Sequence, residues 1–136
     1  MSYGSTAALQ AAVYGALAGD AAVAALSGGA VYDALPPGPV PPLYVALGPE
    51  RARDAGDKTG AAAVHDIAVT VVSEGAGFAA AKALAAAISD ALAGADLVLA
   101  RGRLMSLDFL RARARRVDAG REIELWFRAR VDESAT

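Results

Sequence analysis

His65 is the only histidine in the chain, and it sits in an alternating apolar run from Val64 to Val72. One imidazole cannot build a metal cage. No serine or cysteine is placed in the sequence to form a nucleophile–base pair with it. The expectation for His65 is a strand residue partly packed against its neighbours. Asp54, Asp57, Asp66 and Glu74 are the carboxylates that could be imagined as a cation site. Their spacing does not match the calcium-binding loop of an EF-hand, and two of them lie beside basic residues, so solvated charges are expected. Ser27-Gly28-Gly29 follows a helical segment instead of opening one, and no Walker lysine comes after it, so no phosphate cradle is read there. No catalytic residue, cofactor or metal is expected.

The arginines are distributed unevenly. Arg101, Arg103, Arg111, Arg113, Arg115, Arg116, Arg121, Arg128 and Arg130 all fall in the last third of the chain. Three readings stay open for Arg111, Arg113, Arg115 and Arg116: a solvated face paired within the chain, a contact between subunits, or proximity to DNA. Phosphate contact requires arginine or lysine but no particular sequence around it. The overall charge of −2, from 13 basic and 15 acidic residues, lacks the basic excess of a free nucleic-acid binder.

The elements that must position these residues follow from composition and periodicity. A chain of 136 residues fits one domain. Its hydrophobic content of 55% is largely alanine, which buries little area per residue and hints at stability borrowed from neighbouring copies. There is no cysteine, hence no disulfide or thiolate chemistry, as suits a reducing cytoplasm. The N-terminus lacks the basic and apolar regions of a secretory signal. The longest apolar stretch, from Gly75 to Ala100, is interrupted by Lys82, Asp90 and Asp96, so no membrane span is read.

Ser5 or Thr6 can cap a first helix with Leu9, Val13, Ala16 and Leu17 on one stripe. Asp20 can cap a second, from Ala21 to Leu26, ended by Gly28-Gly29. Val31-Tyr32-Asp33 is a short extended piece. The prolines between Pro36 and Pro42 form a stiff connection inside one domain, feeding a strand from Leu43 to Leu47; a ligand segment of the PxxP type is the alternative. The charged segment from Pro49 to Gly60 is expected to be a mobile loop. Its Glu50, Arg51, Arg53, Asp54, Asp57 and Lys58 are candidates for subunit or partner contacts.

Val64 to Val72 is the central strand, with His65, Ile67, Val69 and Val71 on one face. Ser73 or Gly75 can cap a long helix, roughly Gly77 to Ala93, with Phe78, Ala81, Leu84, Ala85, Ile88 and Leu92 as its stripe. A strand from Leu104 to Phe109 follows. In the last strand Ile123, Leu125, Phe127, Ala129 and Val131 point one way, and Glu122, Glu124, Trp126, Arg128 and Arg130 the other. Val117-Asp118-Ala119-Gly120 reads as a hairpin turn that places Arg115 opposite Glu122 and Arg113 opposite Glu124. The apolar parity shifts between Phe109 and Leu110, which predicts a β-bulge there. Residues 132–136 are expected to form a flexible tail. The fold class is α+β: a mostly antiparallel sheet packed against the alanine-rich helix and the N-terminal helix pair, in one domain.

The order of these pieces resembles the tail-terminator, or tail-completion, proteins of long-tailed phages and gene transfer agents. The resemblance rests on the helix pair, Val31-Tyr32-Asp33, the proline-rich lead into Leu43-Tyr44-Val45-Ala46-Leu47-Gly48, and the central strand ending in Ser73-Glu74-Gly75. The alanine-rich helix and the strand from Ile123 to Val131 complete it. Val72 stands where some relatives carry an aromatic residue. The resemblance implies a non-enzymatic virion protein. Copies would form a hexameric ring on the tail tube, end tube polymerisation and join the tail to the head connector. Its partners would be itself, the tail-tube protein, the connector proteins and DNA in passage through the channel. It would be assembled in the bacterial cytoplasm and reside at the head–tail junction. The alternative from another class is a small ligand-binding or regulatory α+β domain that dimerises through its sheet.

Overall fold

The computed structural model describes residues 3–57, 60–75, 78–118 and 120–134. Helix α1 (Thr6–Gly19) and helix α2 (Ala21–Ser27) are followed by strand β1 (Val31–Tyr32) and strand β2 (Leu43–Asp54). Strand β3 (Ala62–Ser73), helix α3 (Ala79–Leu92), strand β4 (Arg103–Val117) and strand β5 (Gly120–Asp132) complete the chain. The sheet order is β1-β2-β3-β5-β4. Only β1 and β2 run parallel; every other neighbouring pair is antiparallel. This is the α+β architecture expected.

All three helices contribute to one core on one face of the sheet. Leu9, Val13 and Leu17 of α1 meet Val45, Val69 and Val71, while Leu84, Ile88 and Leu92 of α3 join the cluster with Leu125, Phe127 and Ala129. The alanines of α3 serve this packing, because Ala81, Ala85 and Ala87 are buried and their small side chains let the helix lie close to the strands. Among the described residues no single helix is long and apolar enough to cross a membrane.

Several local expectations are met with their reasons visible. The Asp20 carboxylate accepts a hydrogen bond from the Val23 N–H at 3.0 Å, and Gly28 ends α2 in the left-handed conformation with φ 64°. The β4–β5 hairpin closes with Val117 opposite Gly120. The ladder shifts register between Phe109 and Arg111, which is the bulge that the apolar parity predicted. A second shift, between Leu104 and Ser106, carried no such signal because only Arg103 and Leu104 precede it in the strand, too few to show a parity.

Other expectations are corrected. The Ser5 hydroxyl does not cap α1; its backbone N–H instead donates to Glu133 at 3.0 Å, and the Thr6 hydroxyl donates to Glu50. Helix α3 begins after Phe78 with no side-chain cap, and the Ser73 hydroxyl accepts from the Gly75 N–H in a local turn. The proposed helix start at Gly77 lies outside the described residues. The segment from Pro49 is not a loop up to Gly60: β2 continues to Asp54, paired through Glu50–Ile67 to Asp54–Ala63. A register shift between Leu47 and Glu50 accommodates Gly48-Pro49, so the proline's missing N–H interrupts no ladder bond. Residues 132–134 are not a free tail. Asp132 ends β5, the Glu133 N–H donates to the Ala61 carbonyl, and the Glu133 carboxylate holds the start of α1.

Candidate interaction surfaces

The helices cover one face of the sheet and leave the other open. Strand register shows what that open face carries. Arg51 of β2 lies opposite Asp66 of β3, Asp66 opposite Arg128 of β5, and Arg128 opposite Asp108 of β4. Charge therefore alternates across four strands, each side chain next to one of opposite sign. Within this row Arg128 holds Asp66 by two hydrogen bonds, Nε to Oδ1 at 2.8 Å and Nη2 to Oδ2 at 2.9 Å. The paired guanidinium, with help from Arg53 and Arg111, holds the Asp66 carboxyl below the usual carboxylate range despite the opposing effect of burial. Asp66 in turn raises Arg128.

The next rows are built the same way. Trp126 lies between Ala68 and Arg111 in register, its indole N–H donates to Glu124 at 2.7 Å, and the Arg111 guanidinium sits 5.1 Å from its ring centroid. Val64, Ala68 and Trp126 are buried even though no helix covers them. Long arginine stems flank them and take the part a second layer would play. Arg115 pairs with Glu122 at 2.9 Å, as the hairpin register predicted, and this carboxylate raises its pKa. Arg113 lies opposite Glu124 as expected, but Glu124 takes the Trp126 indole instead.

The first candidate group does not act as one cluster. Arg51 and Arg53 are exposed on the open face, beside the arginines of β4 and β5. Asp54 and Asp57 are exposed near the tip of the β2–β3 hairpin and accept from the Gly56 and Gly60 N–H groups. Glu50 turns to the helix side, where it accepts from the Tyr3 hydroxyl at 2.8 Å and from the Thr6 hydroxyl at 2.5 Å. Its other oxygen lies 3.9 Å from His65 Nδ1. His65 is fully buried, deeper than a partly packed strand residue. Lys58 lies outside the described residues. In the second group Arg111, Arg113 and Arg115 share the open face, whereas Arg116 lies opposite Arg121 on the helix side.

Asp66, Trp126 and Arg128 matter to this surface and were not singled out together from the sequence. The available signal was the period-two alternation of β3 and β5. What the sequence could not give was the register that sets Asp66 opposite Arg128, 62 residues away. Among the described residues no group of three or more histidines, cysteines or carboxylates could hold a metal ion.

The profile of a family described as tail completion protein gp17 matches residues 11–132. The chain belongs to that family. The chain is also similar to a chain solved in the virion of a native gene transfer agent particle. The two share 63% identity over 96% of this chain and 99% of the other, with a TM-score of 0.92. No curated protein matches it. Both matches support a structural role in tail assembly.

Proposed function

We propose that the protein closes into a ring of identical copies on the end of a tail tube, stops the tube's growth there and provides the seat for the head connector. The observation that carries this reading is the near-complete correspondence with a chain of an assembled gene transfer agent particle. The geometry supports it. A closed ring repeats one heterologous contact by rotation, so each copy must offer two different surfaces. The sheet has free backbone edges along much of both sides, β4 on one and, beyond the short β1, β2 after Ala46 on the other. Free edges invite pairing or cover. The exposed charges of Arg51, Arg53, Asp54 and Asp57 at the β2 side, and of Arg113 and Arg116 at the β4 side, supply contacts to neighbouring copies, the tube or the connector. DNA meets the arginines of β4 only as it passes through the ring.

The test is a tube-capping assay. Tail-tube protein from the same source is polymerised with and without this chain, and tube lengths and ends are imaged by electron microscopy. A ring at one tube end with growth halted supports the reading. Unaltered tubes, together with a stable dimer in solution, overturn it in favour of a ligand-binding domain.

A further inference from the structure

Two apolar features lie at opposite edges of the sheet. The first is the connection between β1 and β2. From Ala34 to Pro42 it contains no charged residue, and the part from Leu35 to Pro39 is exposed, Leu35 to 53%. Its prolines stiffen it around a bend at Pro37-Gly38, where Gly38 has φ 89°, so little conformational freedom is lost when it docks. The second is a groove of about 290 Å³ between α3 and the β4–β5 hairpin, on the helix side of the sheet. Ile123 and Leu125 form its floor; Ala86, Ala112, Ala114 and Phe109 form its walls. Phe109 packs edge-on against Phe127 and still exposes 43% of its surface. Helix α3 leaves this part of the hairpin uncovered.

From these features we infer that the groove of one copy receives the Leu35–Val40 segment of the next, and that this is the contact by which copies join head to tail. Three observations carry it. The segment borders β1 and the groove borders β4, the two outer strands. Four inter-strand steps of about 4.8 Å hold them about 19 Å apart, so one copy cannot fill its own groove. A knob at one edge and a socket at the other is what a heterologous contact requires. The flanking charges also complement each other: the exposed Asp33 precedes the segment, while Lys82 lines the groove and Arg116 follows Ala114 along its wall.

This inference rests on the ring reading, and the experiment separates the two. The chain has no cysteine, so Leu35→Cys and Phe109→Cys can be introduced together as the only thiols. Both positions are exposed; circular dichroism should match the parent, and loss of the Phe109–Phe127 contact should lower the melting temperature only slightly. The double variant is assembled on tail tubes and treated with a short bis-maleimide. The expected result is a ladder of covalent multimers extending to ring size, with neither single variant giving more than dimers. Rings visible on tube ends but no ladder would overturn the contact and leave the ring standing. Tubes without rings in parent and variant alike would overturn both.

Discussion

Asp66 and Arg128 stand opposite each other on neighbouring strands of the uncovered sheet face and are joined by two parallel hydrogen bonds of 2.8 and 2.9 Å. The pair ties β3 to β5 at mid-length, between the exposed arginines of β2 and the aspartate of β4. It is the best-defined polar contact on a face that has no second layer, and its geometry leads to the first prediction.

Replacing Asp66 by Asn should cost on the order of 1 kcal/mol at neutral pH, since a paired carboxylate becomes a neutral amide and Arg128 loses its partner. The Asp66 pKa is lowered in the folded protein. The pair's contribution is therefore fully present above the unfolded-state value of about 3.9, and it is lost as pH falls through the lower folded-state value. Denaturant melts should show a constant gap between parent and Asp66→Asn from about pH 7 to 5, closing below about pH 4. A gap that widens with acid would refute this account.

Phe127 is fully buried, and Phe109 packs edge-on against it with ring centroids 5.8 Å apart. Phe127→Ala removes the largest fully buried side chain and should cost about 3–5 kcal/mol, leaving the chain largely unfolded or close to it at room temperature. The neighbouring Phe109→Ala, at an exposed site, should cost far less. Chemical denaturation of the two variants makes the comparison.

A methyl group on Gly120 would lie 2.5 Å from the Ser73 carbonyl oxygen, a backbone atom that cannot swing aside. Gly120→Ala should force the β4–β5 turn away from the end of β3 and cost about 1–3 kcal/mol. Amide exchange should rise first at Arg121 and Ser73, which pair across that end of the sheet. Unchanged protection there would mean that the turn adjusts freely.

Glu50 joins the start of the chain to β2 by accepting from both Tyr3 and Thr6. Glu50→Ala should release the first turn of α1 while leaving the core helices in place. Limited proteolysis should then cut within the first ten residues at least several-fold faster than in the parent, with a stability loss of about 1–2 kcal/mol. If cleavage moves instead to the β2–β3 hairpin, Glu50 holds the strand and not the terminus.

Much of this fold could be read directly. The alternation from Ile123 to Val131, the Asp20 cap and the parity break before Leu110 are local signals, and local signals survive in a single sequence. The segment after Pro49 was misread for an equally local reason. Proline, glycine and dense charge argue for a loop, but Gly48-Pro49 is absorbed at a register shift and the arginines beyond it belong to a strand whose outer face is solvated. The caps of α1 and α3 were misassigned for two reasons: the Ser5 N–H is taken by Glu133 at the far end of the chain, and the Ser73 hydroxyl closes a local turn with the Gly75 N–H instead of capping the helix. The charge row itself was not legible, because Arg51, Asp66, Asp108 and Arg128 meet only after the register of three strand pairs is set.

The extra residue at Leu110 has a geometric consequence. Removing it would leave Phe109 opposite Phe127 and Arg111 opposite Trp126 in an unbroken ladder, with every side chain on its present face. Pairing therefore does not need the bulge. What the bulge supplies is added twist, which bends the outer strand along its length. If that strand carries the contact between copies, its bend fixes how far each copy is turned from the last. A one-residue deletion at Leu110 would then change the number of subunits that complete a circle, while the folded subunit itself stays intact.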